Sequence, residues 1–310
     1  MARIVVIDDR DSIAERLVTQ LRRSSAVEMC QRAPQREDGF GGELSDGYAG
    51  LFDDQAIDTV IYAPPLRASN QMVPDLADAE VVFQQCAQAG IKKMILLSSA
   101  AVYGASPHNP GLISESRSLS RNGKNPIGGQ WAELEGLAVI YLGEPEDNKL
   151  TILRPAAVPV RGGADYFSRL FTSRLAFALP GHDPSLQLLS PEDLARAVCC
   201  AVERSQGGVY NVAPESVIPL RAALRLTGAQ RIPLARGMQR LARAGLAPLG
   251  LAHSIDQLDY IRYSWTISNQ KIKSELGFAP KRSSAEALRE FRAAIQRFCE
   301  RLGRGEKSNN

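Results

Sequence analysis

Arg3-Ile-Val-Val-Ile-Asp-Asp-Arg-Asp-Ser-Ile-Ala-Glu-Arg-Leu17 reads as a buried strand, a turn and the opening of a helix. The apolar run 4–7 is the strand, and the helical pattern extends over about 12–23. Outward from this stretch the same alternation repeats. A second strand is expected near 27–30, followed by a polar, glycine-rich loop over 32–50. Residues 58–63 form the next strand and stop at Pro64-Pro65. A helix over 73–90 precedes a strand at 93–99, a helix at 131–142 and a strand at 151–155. Strand and helix in alternation predict an α/β fold, a Rossmann-like doubly wound parallel sheet with helices on both faces.

The second half changes character. Residues 165–179 and 192–203 read as helical, 207–213 as a short strand, and 283–302 as a long amphipathic helix. The expected organisation is a core over 1–160, to which 190–215 returns. A smaller, mainly helical C-terminal domain takes 161–189 and 216–302, and 303–310 is expected to be a disordered tail.

Composition narrows the function classes. Of the 310 residues, 44% are hydrophobic and 23% charged, as in an ordinary soluble globular protein. A formal charge of +3 without a dense basic run argues against nucleic acid as a partner. No apolar stretch approaches the ~18–20 residues that span a bilayer. The chain enters a strand at once, so no secretory leader is expected, and the chain is placed in the cytoplasm. Cys30, Cys86, Cys199, Cys200 and Cys299 contain no C-x-x-C pair and are expected to be reduced. His108, His182 and His253 lack metal-ligand spacing, so no metal is expected.

The turn at 8–11 is the anomaly. A strand leading through a tight turn into a helix is where a dinucleotide-binding unit places its glycine-rich phosphate loop. Here the turn is Asp8-Asp9-Arg10-Asp11, with no glycine and three carboxylates. Three readings stand: a solvated turn with Asp11 as helix N-cap, a site for a cation or positively charged ligand, and a salt bridge to another part of the chain.

Several segments together resemble the extended short-chain dehydrogenase/reductase family, in its sugar-nucleotide epimerase/dehydratase branch. Ile91-Lys-Lys-Met-Ile-Leu-Leu-Ser-Ser-Ala-Ala-Val-Tyr-Gly104 ends in that family's S-S-x-x-V-Y-G signature. Leu153-Arg-Pro155 matches its L-R-P, and Ser190-Pro-Glu-Asp-Leu-Ala-Arg-Ala197 resembles the helix carrying D-x-A. Val209-Tyr-Asn-Val-Ala213 and Glu275-Leu-Gly-Phe-Ala-Pro280 match two later elements, so the resemblance covers most of the chain in order.

The family's functional residues carry over badly. Its G-x-x-G-x-x-G loop falls on Asp8, Asp11 and Ala14, and its catalytic Tyr-x-x-x-Lys falls on Ile127 and Trp131. The catalytic Ser/Thr position, four residues before Tyr103, is kept as Ser99. The acid that holds the adenosine ribose has no match near Gln31-Arg32. A carboxylate ~4 Å from a phosphate charge costs about 1 kcal/mol in water and about 4 at an effective dielectric near 20. Micromolar binding amounts to only about −8 kcal/mol. Ile127 cannot transfer a proton and Trp131 carries no charge, and positioned acid/base catalysis contributes about 10²–10⁴-fold.

The resemblance therefore implies a catalytically degenerate member acting as a binding, scaffold or regulatory subunit, with no cofactor expected. The alternative is an atypical NAD- or NADP-dependent oxidoreductase or epimerase with a rebuilt site, using Ser99 and Tyr103. A second alternative is a small-molecule sensor. The cleft candidates are Ala63, Pro64, Ser98, Ser99, Arg154 and Pro155. The resemblance also implies a homodimer through the helices near 73–90 and 131–142, or a partner protein. A basic amphipathic helix over 231–250, with Arg231, Arg236, Arg240 and Arg243, is weighed for peripheral membrane contact. Residues 256–265 are read as a packed strand or lid.

Overall fold

The computed structural model describes residues 2–7, 12–32, 52, 57–66, 73–119, 126–147, 149–163, 165–234 and 257–303. The turn 8–11, the stretch 33–51, Lys124, the helix expected through Arg236, Arg240 and Arg243, and the tail 304–310 all lie outside the described residues.

Six parallel strands form the core: β1 (Ala2–Ile7), β2 (Val27–Arg32), β3 (Thr59–Tyr62), β4 (Lys93–Leu97), β5 (Leu150–Pro155) and β8 (Gly208–Val212). Their order among the described residues is β2-β1-β3-β4-β5-β8, and every pairing is parallel. Strands covered on both faces read as unbroken apolar runs. Accordingly β5 is buried along its whole length and β3 likewise. The order reverses between β1 and β3, the switch point at which such sheets open a crevice at their C-terminal edge.

The helices that cover the sheet are built from one-sided apolar spacing. In α1 (Ser12–Leu21), Ala14, Leu17, Val18 and Leu21 are buried. In α2 (Leu76–Gln88), Ala79, Val82, Phe83 and Cys86 fall on one face, and the Phe83 ring meets the edge of Tyr62 at 5.5 Å. Asp75 caps α2 by accepting from the Ala77 backbone N–H at 3.1 Å. α3 (Pro126–Leu142) packs on α2 and covers β5. It begins five residues before the expected helix at 131–142. Pro126 is the reason, since its missing N–H costs nothing in the first turn.

The remaining elements are α4 (Tyr166–Thr172), β6 (Leu175–Ala178), β7 (Ser185–Leu186), α5 (Pro191–Glu203), β9 (Ile218–Pro219), α6 (Leu220–Thr227), β10 (Gln230–Pro233), α7 (Gln270–Leu276) and α8 (Ser284–Gly303). β6 pairs in parallel with β10, and β7 antiparallel with β9.

Five expectations are corrected here. The helix expected over 165–179 stops at Thr172, and β6 follows. Ser173 ends it: its hydroxyl donates to the Leu175 carbonyl and accepts from the Leu175 N–H, a local turn that competes with helical bonding. Arg231 lies in β10 rather than in a basic helix, because pairing with Ala176 of β6 holds it extended. Residues 258–261 form a single 3₁₀ turn and not a strand, with Tyr260 and Trp265 buried in edge contact at 5.2 Å. Gly303 belongs to α8 and not to the tail, and Arg32, assigned to the loop 32–50, is the last residue of β2.

Asp193 locks the C-terminal segment onto the core. Ser190 caps α5 by accepting from the Asp193 N–H. The Asp193 carboxylate, 1% exposed, accepts from the backbone N–H groups of Lys281 and Arg282 and from the Arg196 guanidinium. Among the described residues no helix is long and apolar enough to cross a membrane, and no His/Cys/Asp/Glu group could hold a metal ion. The five cysteines are free. Burial pushes the Cys86 thiol up to about 12 and Cys30 up to about 11, the latter against the pull of Arg22. Both therefore stay protonated and unreactive at neutral pH.

Candidate functional site

Among the described residues, the crevice edge is formed by those that leave the C-terminal ends of β3, β4 and β5. β4 ends at Leu97, and Ser98 and Ser99 carry the chain into a 3₁₀ turn, Ala100–Tyr103. Ser99 is half-buried and caps that turn by accepting from the Ala101 N–H at 3.1 Å. Gly104 closes the turn at φ 70°, a conformation that favours glycine. At the end of β3, Ala63 is half-buried and donates its N–H to the Ile7 carbonyl, and Pro64 is buried.

Directly beneath this edge runs a buried polar network. The Glu135 carboxylate on α3 is 5% exposed and the Arg154 guanidinium on β5 is 4% exposed. Arg154 grips both carboxylate oxygens, Nε to Oε1 at 2.9 Å and Nη2 to Oε2 at 2.5 Å. Ser98 Oγ donates to Glu135 Oε1 at 2.6 Å. Arg154 Nη1 donates to the Tyr103 hydroxyl at 2.7 Å, and that hydroxyl donates to Asn211 Oδ1 at 2.9 Å. Asn211 Nδ2 donates to the Ile113 carbonyl, and its backbone N–H to Glu115 Oε1. The pair is thus satisfied on nearly every lone pair and proton, the condition under which a buried ion pair is tolerated.

These contacts settle what Tyr103 can do. Burial, against the opposing pull of Arg154, pushes its phenol above the usual tyrosine range, so it is not a phenolate at neutral pH. Its proton is committed to Asn211 and its lone pair to Arg154, and the side chain is 5% exposed. Burial would lower the Arg154 pKa, but hydrogen bonding and the charge of Glu135 outweigh it and hold the guanidinium firmly protonated.

Ile127 and Trp131 lie four residues apart on α3, 3% and 6% exposed. Neither side chain can titrate, so at these two positions the structure holds no proton donor and no cation. Of the cleft candidates, Ala63, Pro64 and Ser99 sit at the crevice edge. Ser98, Arg154 and Pro155 lie under it, the first two bound to Glu135. The loop Asp8–Asp11 is outside the described residues, while Ala14 is 1% exposed in α1. Glu135, Asn211 and Glu115 were not singled out from the sequence. Glu135 had a signal: it shares the inward stripe of α3 with Ile127 and Trp131, four and eight residues on, and a carboxylate on such a stripe requires a partner.

One further feature concerns β2. The side-chain amide nitrogen of Gln31, one residue before the end of the strand, is buried and makes no hydrogen bond. A buried donor without a partner costs about 1–3 kcal/mol.

No family model matches the chain. Among curated proteins it is 25% identical over 244 residues to an uncharacterised protein of Mycobacterium tuberculosis, covering 76% of this chain and 65% of that one. It is 26% identical over 243 residues to an uncharacterised protein of Sinorhizobium fredii, covering 73% of this chain and 59% of the relative. The chain therefore spans less than two thirds of the length of these relatives.

Solved structures match it almost end to end. MoeE5 in complex with UDP-glucuronic acid and NAD superposes with a TM-score of 0.70 at 20% identity, covering 96% of this chain and 100% of that one. A UDP-glucuronic acid 4-epimerase from Bacillus cereus, with UDP-glucuronic acid and NAD, gives 0.70 at 16%, covering 96% and 99%. A dTDP-glucose 4,6-dehydratase from Bacillus anthracis with NAD gives 0.70 at 13%, covering 97% and 98%. The chain shares the fold of these structures, as the resemblance in its sequence implied. The expectation of no cofactor is overturned by these neighbours, since the fold that the chain shares holds NAD in all three.

A small buried residue at position 14 preserves the close packing of α1 on the sheet that a dinucleotide site requires. The unpartnered Gln31 amide lies at the end of β2, where a dinucleotide site of this kind would take the adenosine ribose. Ile127 and Trp131, at the positions that the resemblance assigns to the nicotinamide side, carry no titratable group. Among the described residues, the packing of α1 on the sheet fits a dinucleotide, and the tyrosine and lysine positions lack a proton relay.

Proposed function

We propose that this chain is an epimerase/dehydratase-like protein that binds a nicotinamide dinucleotide at the C-terminal ends of β1, β3 and β4 without performing tyrosine-dependent proton transfer. It acts as a binding or regulatory subunit. The observation that carries the reading is the burial of Ile127 and Trp131 at the positions where the resemblance places the tyrosine and lysine. When bound, the dinucleotide supplies a hydride donor or acceptor at its nicotinamide ring. Ala14 lets α1 approach the sheet, Ser99 stands at the crevice edge, and Ile127 and Trp131 exclude water from the helix side without moving a proton. Tyr103 is held by Arg154 and Asn211 and does not replace the missing acid.

Calorimetric titration with NAD(H) and NADP(H) is expected to show binding in the micromolar range or weaker, because the resemblance assigns Asp8 and Asp11, two negative charges, to the phosphate-loop positions. The Asp8→Gly/Asp11→Gly variant is expected to bind about tenfold tighter or better, each tenfold corresponding to about 1.4 kcal/mol. With UDP-glucose, UDP-glucuronic acid or dTDP-glucose present, no epimerised or dehydrated product is expected. Absence of any dinucleotide binding in both proteins would remove the reading, and turnover would remove its non-catalytic half.

The assembly we propose is a homodimer through α2 and α3. α3 is apolar nearly all round, the pattern of a helix covered on every side. Yet Ile140 is 75% exposed, and Gly129 and Gly136 have open space where a side chain would stand. Tyr141 ties α3 to α2 through Glu80 at 3.0 Å, so the two helices present one surface. Light scattering is expected to give twice the 33.7 kDa chain mass, and Ile140→Glu is expected to return it to a monomer. A monomeric natural protein would rule out this assembly.

A further inference from the structure

We propose that this chain docks on an anionic membrane surface through one face of the small sheet β6–β10. Leu175, Phe177 and Ile232 sink to the acyl boundary, and Arg174, Arg231 and Arg292 form a rim among the headgroups. The inference is independent of the dinucleotide reading.

The pairing of the two strands fixes the face. Leu175 stands beside Gln230 and Phe177 beside Ile232, and side chains alternate along each strand, so Leu175, Phe177 and Ile232 share one side of the ribbon. Leu175 is 54% exposed and Ile232 36%, and Phe177 is half-buried. On the opposite side Ala176 is buried, so that side faces the body of the protein. An exposed apolar residue standing singly needs no explanation. Here two of the five large apolar side chains exposed among the described residues meet on one ribbon of four residue pairs.

The charge around this face points to its occupant. Neither 173–179 nor 228–234 contains an acid. Arg174 precedes Leu175, and its carbonyl accepts from the Gln230 N–H at 2.8 Å, so it lies where both strands begin. Arg231 is exposed and alternates to the other side of the ribbon, at headgroup height once the apolar face is sunk. Arg292 of α8 brings its guanidinium against Gly228, with Nη2 3.2 Å from the point where a Cβ on that glycine would stand. None of the three enters an ion pair with a described carboxylate. Apolar side chains beside unpaired cations match the acyl boundary and the anionic headgroups of a membrane. A nucleic acid would engage the arginines and leave the apolar face in water. Arg231, expected in a basic helix, thus contributes from a strand.

The test is co-sedimentation of the full chain with vesicles of phosphatidylcholine alone and of equal parts phosphatidylcholine and phosphatidylglycerol. The anionic vesicles are expected to retain at least tenfold more protein. The excess is expected to fall as salt is raised, since the Debye length shrinks from about 10 Å at 0.1 M to about 3 Å at 1 M. Leu175→Ser/Ile232→Ser and Arg174→Gln/Arg231→Gln are each expected to weaken binding to the anionic vesicles tenfold or more. Leu112→Ser, which removes an exposed apolar side chain elsewhere, is expected to leave it unchanged. All five positions are exposed, and thermal melting checks that each variant is folded. Equal retention by the two kinds of vesicle, or undiminished binding by either double variant, would overturn the proposal. So would retention of duplex DNA without any vesicle binding, which would assign the arginines to nucleic acid.

Discussion

Arg154→Met is expected to lower the unfolding free energy by about 3–5 kcal/mol, the cost of leaving a buried charge without its partner. The guanidinium holds both oxygens of Glu135 and the hydroxyl of Tyr103, and every group it touches is buried. Methionine fills the volume but strands the Glu135 carboxylate, with Ser98 as its remaining donor. Arg154→Lys is expected to recover little, because one ammonium cannot reproduce a planar fork that serves two acceptors at once. Arg154→Met combined with Glu135→Leu is expected to cost less than Arg154→Met alone, since the second change removes the stranded charge. Urea denaturation of these three variants and of Glu135→Leu alone checks this, with the double substitution as the decisive arm. A double variant as unstable as the sum of its parts would show that packing, not charge pairing, sets the cost. Arg154 stays protonated throughout the practical pH range, so its contribution does not change through its own titration.

Asp193→Ala is expected to cost about 2–4 kcal/mol by a different route. Hydrogen bonds to a charged acceptor contribute about 1.5–3 kcal/mol each, and donors left unsatisfied in a buried site carry their own penalty. The substitution orphans the backbone N–H groups of Lys281 and Arg282. It also removes an acid from the first turn of α5, where negative charge is favoured. The loss is expected to be local first. Amide hydrogen exchange at 278–283 should accelerate before the sheet is affected, and Asp193→Asn, which keeps one acceptor oxygen, should lie between. Uniform acceleration over the whole chain would show instead that this latch is required for global folding.

The parallel sheet was legible because its strands are short, unbroken apolar runs separated by helical patterns. β1, β4 and β5 fall within two residues of the expected bounds for that reason. β6 and β10 were not legible. Their pairing joins Leu175 to Gln230 across the intervening chain, and nothing local in Leu-Ala-Phe-Ala distinguishes a strand from a helix. The site divides along the same line. Ser99, Ile127 and Trp131 were singled out through the family resemblance of the stretches that hold them. The Arg154–Glu135 pair could not, because it depends on α3 crossing β5, a tertiary contact. Nor could the bare amide of Gln31, since the lack of a partner is visible only when every neighbour is in place.

The Asp193 latch has a consequence for biosynthesis. The carboxylate emerges 88 residues before the Lys281 N–H that it accepts from. At about 5–20 residues per second, that is a wait of roughly 4–18 s during translation. Throughout it the start of α5 has no C-terminal segment to close over it, and the apolar residues Leu194 and Val198 on that helix lack part of their cover. The nascent chain can assemble its early strands as they appear, but the last of them are sealed only after the C-terminal segment arrives. A ribosome stalled between residues 212 and 280 would therefore display a sheet with all its described strands synthesised and its closing seam still open, the state on which a chaperone would act.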